Sequence, residues 1–172
     1  MKTIRFSILI ISLLTFSKIL GQEILSVKDI YLDENNIAYK IDNDQKFTGF
    51  AQKVRNNGHV VYEDEFKDGI ILVHFVYFNL SDKELVGKMI YNTNKPFTPE
   101  KKIQFKSNKK ATWQEIEYYD QDGNKILEET ITEGITTYRC EFLNGKKHGT
   151  EICSNKEGKK LTSHFKNGKK IK

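Results

Sequence analysis

Thr136-Thr137-Tyr138-Arg139-Cys140-Glu141-Phe142 alternates cleanly, with Tyr138, Cys140 and Phe142 on one face of an extended chain and Thr137, Arg139 and Glu141 on the other. Asn144-Gly145 follows almost at once, and Asn-Gly supplies the positive φ angles that tight hairpins need. The same turn chemistry recurs at Asn57-Gly58, Asp68-Gly69, Asp122-Gly123 and Asn167-Gly168. After Asp68-Gly69 the run Ile70 to Phe78 is mostly β-branched or aromatic, with Leu72 and His74 as exceptions. That composition suits a strand covered on both faces. No window of about 11 residues outside the N-terminal segment carries a helical stripe. The chain reads as all-β.

The glycines are periodic. Gly49, Gly58 and Gly69 are spaced 9 and 11 apart, and Gly149, Gly158 and Gly168 are spaced 9 and 10 apart. Between them Gln114 stands where a first glycine is expected, followed by Gly123 and Gly134. Each triad brackets two strands. Phe66 and Phe165 sit three residues before the closing glycine, and Phe142 holds the same place before Gly145. Self-similarity at roughly 20–25 residues predicts a repeat architecture, in which each hairpin buries its face by stacking on the next.

Phe47-Thr48-Gly49, Asn57-Gly58 and Phe66-Lys67-Asp68-Gly69 together resemble the bacterial variant of the MORN repeat. Phe142-Leu143-Asn144-Gly145-Lys146-Lys147-His148-Gly149 and Phe165-Lys166-Asn167-Gly168 resemble further copies. Proteins built of such repeats are often grouped as YwqK-like antitoxins. The resemblance covers residues 37–69 and 109–172 and is degenerate across 70–108, where Asn94-Lys95-Pro96-Phe97-Thr98-Pro99 reads as an irregular loop. It implies a single domain, an elongated single-layer antiparallel sheet of stacked hairpins, and binding to a partner protein rather than catalysis.

At the N-terminus Lys2 and Arg5 precede an apolar run from Phe6 to Phe16, and Ser17 and Gly21 follow. A basic start, a short apolar stretch and a small closing residue make a secretory signal peptide over residues 1–21, leaving 22–172 as the mature domain. The run is too short to span a bilayer as a helix, which takes roughly 20 apolar residues. The processed chain is therefore expected to be exported, periplasmic or extracellular, and not an integral membrane protein. Removing residues 1–21 lowers the formal charge from +5 to +2, with 25 basic against 23 acidic residues. The remainder is uneven, since residues 144–172 hold nine Lys and two Glu, a net of +7. Export argues against intracellular nucleic acid as a partner. The composition (38% hydrophobic, 12% aromatic, 2 prolines) excludes collagen-like and multi-span membrane chains and argues against disorder.

The sequence supplies no catalytic or cofactor constellation. His59 and His148 lie beside turn glycines, where a solvated imidazole is the ordinary explanation, and His74 and His164 lie in predicted strands. None is spaced from Cys, Asp or Glu like a zinc site. Asp120, Asp122, Gly123 and Asn124 read as an acidic hairpin turn rather than a calcium loop. No Gly-rich phosphate loop or Gly-x-Ser-x-Gly elbow is present. Two binding readings remain open. In the first, an open sheet presents Trp113, Tyr118 and Tyr119 to an unknown protein partner, although burial between repeats explains the same residues. In the second, Lys146, Lys147, Lys159, Lys160, Lys169 and Lys170 form a basic ridge for an anionic lipid or polysaccharide of the envelope. Lysines protecting a sheet edge from pairing with another chain explain the same residues. Cys140 faces Cys153 within disulfide reach if Leu143 pairs with Thr150, whereas an inward Ile152 turns Cys153 away.

Overall fold

The computed structural model describes residues 22–78, 83–107, 111–155 and 157–171. Fourteen strands follow in order: β1 (Glu23–Ser26), β2 (Ile30–Leu32), β3 (Ala38–Lys40), β4 (Gly49–Val54), β5 (Val60–Lys67), β6 (Ile70–Tyr77), β7 (Leu85–Tyr91), β8 (Pro99–Ser107), β9 (Thr112–Tyr119), β10 (Lys125–Thr132), β11 (Ile135–Leu143), β12 (Lys146–Ser154), β13 (Lys160–Lys166) and β14 (Lys169–Ile171). Twelve of them form one open sheet, ordered β1-β4-β5-β6-β7-β8-β9-β10-β11-β12-β13-β14, and β2 and β3 form a second, small sheet. From β4 onward every strand pairs antiparallel with its successor. The exception to the expected antiparallel pattern is β1, which lies parallel to β4. The long sheet continues through β6, β7 and β8, where the glycine pattern lapses.

Two turn classes build the meander. Asp68-Gly69, Glu133-Gly134, Asn144-Gly145 and Asn167-Gly168 have positive φ at both residues, the two-residue turn whose twist matches that of the strands. The second class is a five-residue loop. Asp120 N donates to Asn124 O, Gly123 N to Asp120 O, and the Asp120 carboxylate accepts from the amides of Asp122 and Asn124. Asn155 organises the loop to Lys159 in the same way. Asp33 does so in the β2–β3 connection, with Asn36 at positive φ in the glycine's place. The acidic stretch 120–124 is therefore a self-satisfied turn, which explains its Asp-rich composition.

The first glycine of a triad is not a turn. Gly49 opens β4 and Gly149 lies inside β12. At Gly49, φ is 146° and a methyl group would overlap the Glu23 carbonyl oxygen, so the parallel pairing with β1 needs a residue without a side chain.

The compact core sits at the N-terminal end. Ala38, Phe47, Ala51, Phe66 and Ile71 are buried together, with Leu25, Val27, Ile30, Tyr91 and Phe97 packed against them. The small sheet is fastened there by backbone bonds from Ala38 N to Gly69 O and from Gly69 N to Phe47 O, each 2.8 Å. Elsewhere the substantial strand–strand contacts of the described residues are between hydrogen-bonded neighbours, so the long sheet is a single layer. The run Ile70 to Phe78 is accordingly not covered on both faces: only Ile71 is buried, under the small sheet, and the rest of β6 is half-buried.

Candidate interaction surface

Residues opposite each other in neighbouring strands share a face, so the register defines two continuous cross-strand ladders. One runs Asp64, His74, Met89, Lys102, Glu117, Glu128, Cys140, Glu151 across β5 to β12. The other runs Glu63, Phe75, Lys88, Ile103, Ile116, Glu129, Arg139, Ile152. The first we call the ionic face and the second the apolar face.

The ionic face is internally compensated. His74 Nδ1 lies 2.6 Å from the Asp64 carboxylate. Glu117 and Glu128 stand directly opposite, a repulsive pairing that Lys125 relieves with contacts of 3.2 and 2.9 Å. Lys102 adds a second cation 3.2 Å from Glu117, and the Tyr119 hydroxyl donates to Glu117 at 2.9 Å. Burial pushes the Glu117 carboxyl upward, but the bonds from Tyr119, Lys102 and Lys125 outweigh it and hold the group below its ordinary value. Lys125 also lies 4.2 Å from the centroid of the Phe142 ring. Lys147 pairs with Glu151 and stands over the rings of Tyr138 and Phe165.

The apolar face is different. Ile103 and Ile116 face each other as its buried centre, and Val73, Phe75, Phe105, Leu127 and Ile131 lie half-buried on the same face, with Lys88 standing between Phe75 and Ile103. Two polar clusters flank this patch. On the N-terminal side the carboxylate of Glu63, a residue only 7% exposed, accepts from Gln52 at 2.7 Å, from Lys83 at 2.9 Å and from the Tyr77 hydroxyl. Burial raises the Glu63 pKa, and the bonds from Tyr77, Lys83 and Gln52 together more than reverse it. On the C-terminal side Glu129 accepts from Tyr118 at 3.1 Å and pairs with Arg139 at 3.6 Å. A groove of 360 Å³ lies at the margin of the β8–β10 region, where Phe78, Leu85, Phe105, Trp113 and Ile131 contribute to its lining.

No protein-family model, curated protein or solved structure matches the chain.

The three aromatic residues singled out in the sequence are split by the pleat. Trp113 and Tyr119 lie on the ionic face beside Glu115 and Glu117, and Tyr118 lies on the apolar face. All three are half-buried. The lysine ridge is also divided. Successive turns fall on alternate margins of a meander, so Lys159-Lys160 sit at the opposite margin from Lys146-Lys147 and Lys169-Lys170. Lys147 is already engaged by Glu151.

The two cysteines do not stand directly opposite each other in this register. Leu143 opposes Lys146 rather than Thr150, and a bulge between Cys140 and Phe142 sets Cys140 opposite Glu151 and Cys153 opposite Tyr138. Both thiols are free. Burial pushes the Cys140 thiol above its ordinary pKa, which suppresses the thiolate. His59 and His148 are half-exposed, and one ring nitrogen of each, His59 Nε2 and His148 Nδ1, is shielded from solvent with no hydrogen-bond partner among the described residues. Among the described residues no group of three or more His, Cys, Asp or Glu is placed to hold a metal ion. The signal segment 1–21 lies outside the described residues.

Sequence reasoning missed the Glu63 cluster and the apolar ladder. Glu63 comes from β5, Tyr77 from β6, Gln52 from β4 and Lys83 from the stretch before β7. The available signal was the exceptional apolar density of β6, which marked the middle of the sheet without marking which face it serves.

Proposed function

We propose that the chain is an exported, non-catalytic β-hairpin repeat protein that works as a protein-interaction module, of the immunity or antitoxin kind implied by its resemblance to the bacterial MORN-variant, YwqK-like proteins. The observation that carries this reading is the apolar face: an Ile103–Ile116 centre, aromatic neighbours, and an ionic cluster on either side, all on a single-layer sheet. An apolar centre inside a polar rim is the anatomy of a protein-binding patch. Tyr118 and Arg139 belong to the residue types that dominate binding energy, and both stand at its C-terminal rim. A toxin acting in the envelope suits an exported binder, with cleavage after Gly21 leaving Gln22 first.

Affinity capture from envelope extracts of the host tests the reading. A defined protein partner is expected with the wild-type chain, with Trp113→Ser and with Tyr119→Ser, and its loss is expected with Phe105→Glu and Tyr118→Ser. Binding only to anionic vesicles or glycans, abolished by salt, contradicts it. So does a partner lost with the ionic-face variants and kept by the apolar-face ones. Intact mass of the host's protein checks export separately, because a full-length cytosolic species ends that part of the reading.

A further inference from the structure

Among the described residues the long sheet is open, and its two terminal strands are short. β1 has four residues and β14 has three. β14 pairs with His164, Phe165 and Lys166 alone, so Lys160, Leu161 and Thr162 of β13 have no strand on their outer side among the described residues. Such backbone edges are templates for pairing with another chain. Each also carries apolar side chains in the open: Leu161 is 59% exposed on β13, and Ile24 is 60% exposed on β1.

The ends differ in charge. Residues 144–172 carry a net of +7. Residues 23–47, which form β1 and the small sheet, hold Glu23, Asp29, Asp33, Glu34, Asp42 and Asp44 against three lysines, a net of −3. Of those lysines, Lys40 is bound to Glu23 at 2.6 Å.

We propose that the protein pairs end to end with further copies of itself, the basic β13–β14 edge of one copy meeting the acidic β1 end of the next and continuing the sheet. Charge selects this polarity. Two β14 edges brought together by a two-fold axis would set Lys160, Lys166, Lys169 and Lys170 against themselves, and like charges directly opposite destabilise a strand pair. The terminal lysines therefore block one pairing and favour the other. A head-to-tail contact does not close on two copies, so it generates an open row or a ring. The contact is short and its charges are solvent-exposed, so it is weak and falls with salt. Both sheet faces stay accessible in such a row, and the proposal does not depend on what the apolar face binds.

Sedimentation velocity of the purified protein is the test. At low ionic strength the weight-average mass is expected to climb with concentration past twice the mass of a single chain, and to return toward the single chain at high salt. The variant Lys160→Glu/Lys169→Glu/Lys170→Glu and the variant Glu23→Lys/Asp42→Lys should each sediment as single chains. An equal mixture of the two should associate again, because each then offers the end the other lacks. That recovery also shows that both variants are folded. A wild-type chain that stays single at all concentrations at low salt overturns the proposal whatever the variants do. Growth that stops at two copies, or that strengthens with salt, overturns it as well.

Discussion

Glu63 shows how one side chain is held in an unusual state on an open sheet. The residue is 7% exposed, and the donors on Gln52, Tyr77 and Lys83 keep its carboxylate ionised against the cost of burial. Because its folded pKa is lowered from the ordinary 4.5, its stabilising contribution is complete above that value and disappears as pH falls through the folded one. Glu63→Gln should therefore cost about 1–3 kcal/mol at neutral pH, the penalty for weakening a buried charge-assisted network. The difference from wild type should shrink as pH is lowered to about 3. Urea midpoints measured across that range check this, and a difference that does not change with pH would refute it. Gly49→Ala acts through the backbone instead. The methyl overlaps the Glu23 carbonyl and the residue keeps a φ of 146°, so a loss of about 2–4 kcal/mol is expected. Thermal unfolding reads it, and an unshifted midpoint would mean that β1 does not pair with β4.

At the scale of the strand pair, Lys125 is the residue on which the middle of the ionic face turns. Without it Glu117 and Glu128 face each other with Lys102 as the remaining cation near Glu117. Lys125→Met should destabilise by about 1–2 kcal/mol, and adding Glu128→Gln should recover most of that loss. Denaturant midpoints of the two variants decide it; equal losses in both would show that packing on Phe142, not charge, is what Lys125 supplies. Strands and turns were legible in the sequence because Asn-Gly and Asp-Gly carry their own φ requirement and because residues such as Thr136–Phe142 alternate strictly. Cross-strand register was not legible. It depends on bulges such as those at Cys140/Phe142 and Thr130/Ile131, which move the pairing by two residues and by one without leaving a recognisable mark. The two-residue turn at Asn144-Gly145 pairs Leu143 with Lys146 instead of Thr150, and this leaves Cys153 opposite Tyr138 rather than Cys140. The alternation of turns between margins divided the lysine pairs, and the pleat divided Tyr118 from Trp113 and Tyr119. The candidate surface was thus only partly visible: its residue types were, its faces were not.

Across the whole molecule, the core lies at one end and a single layer extends from it. Stability in such an array is close to a sum of each strand's own interactions and those with its neighbours, so it is expected to fall toward β14. Amide exchange should be slowest around Phe47, Phe66 and Ile71 and fastest in β13 and β14. Uniform protection along the sheet would indicate a second layer over the C-terminal half. The same absence of a second layer is what leaves the apolar face available, and the central claim is that a protein partner covers that face. Covalent side-chain labelling of the chain, alone and with its captured partner, tests this most directly. The account predicts that labelling of Phe75, Phe105, Tyr118 and Arg139 falls in the complex while that of Trp113, Tyr119 and Lys147 does not change. Protection confined to Trp113, Tyr119 and Lys147 would contradict it.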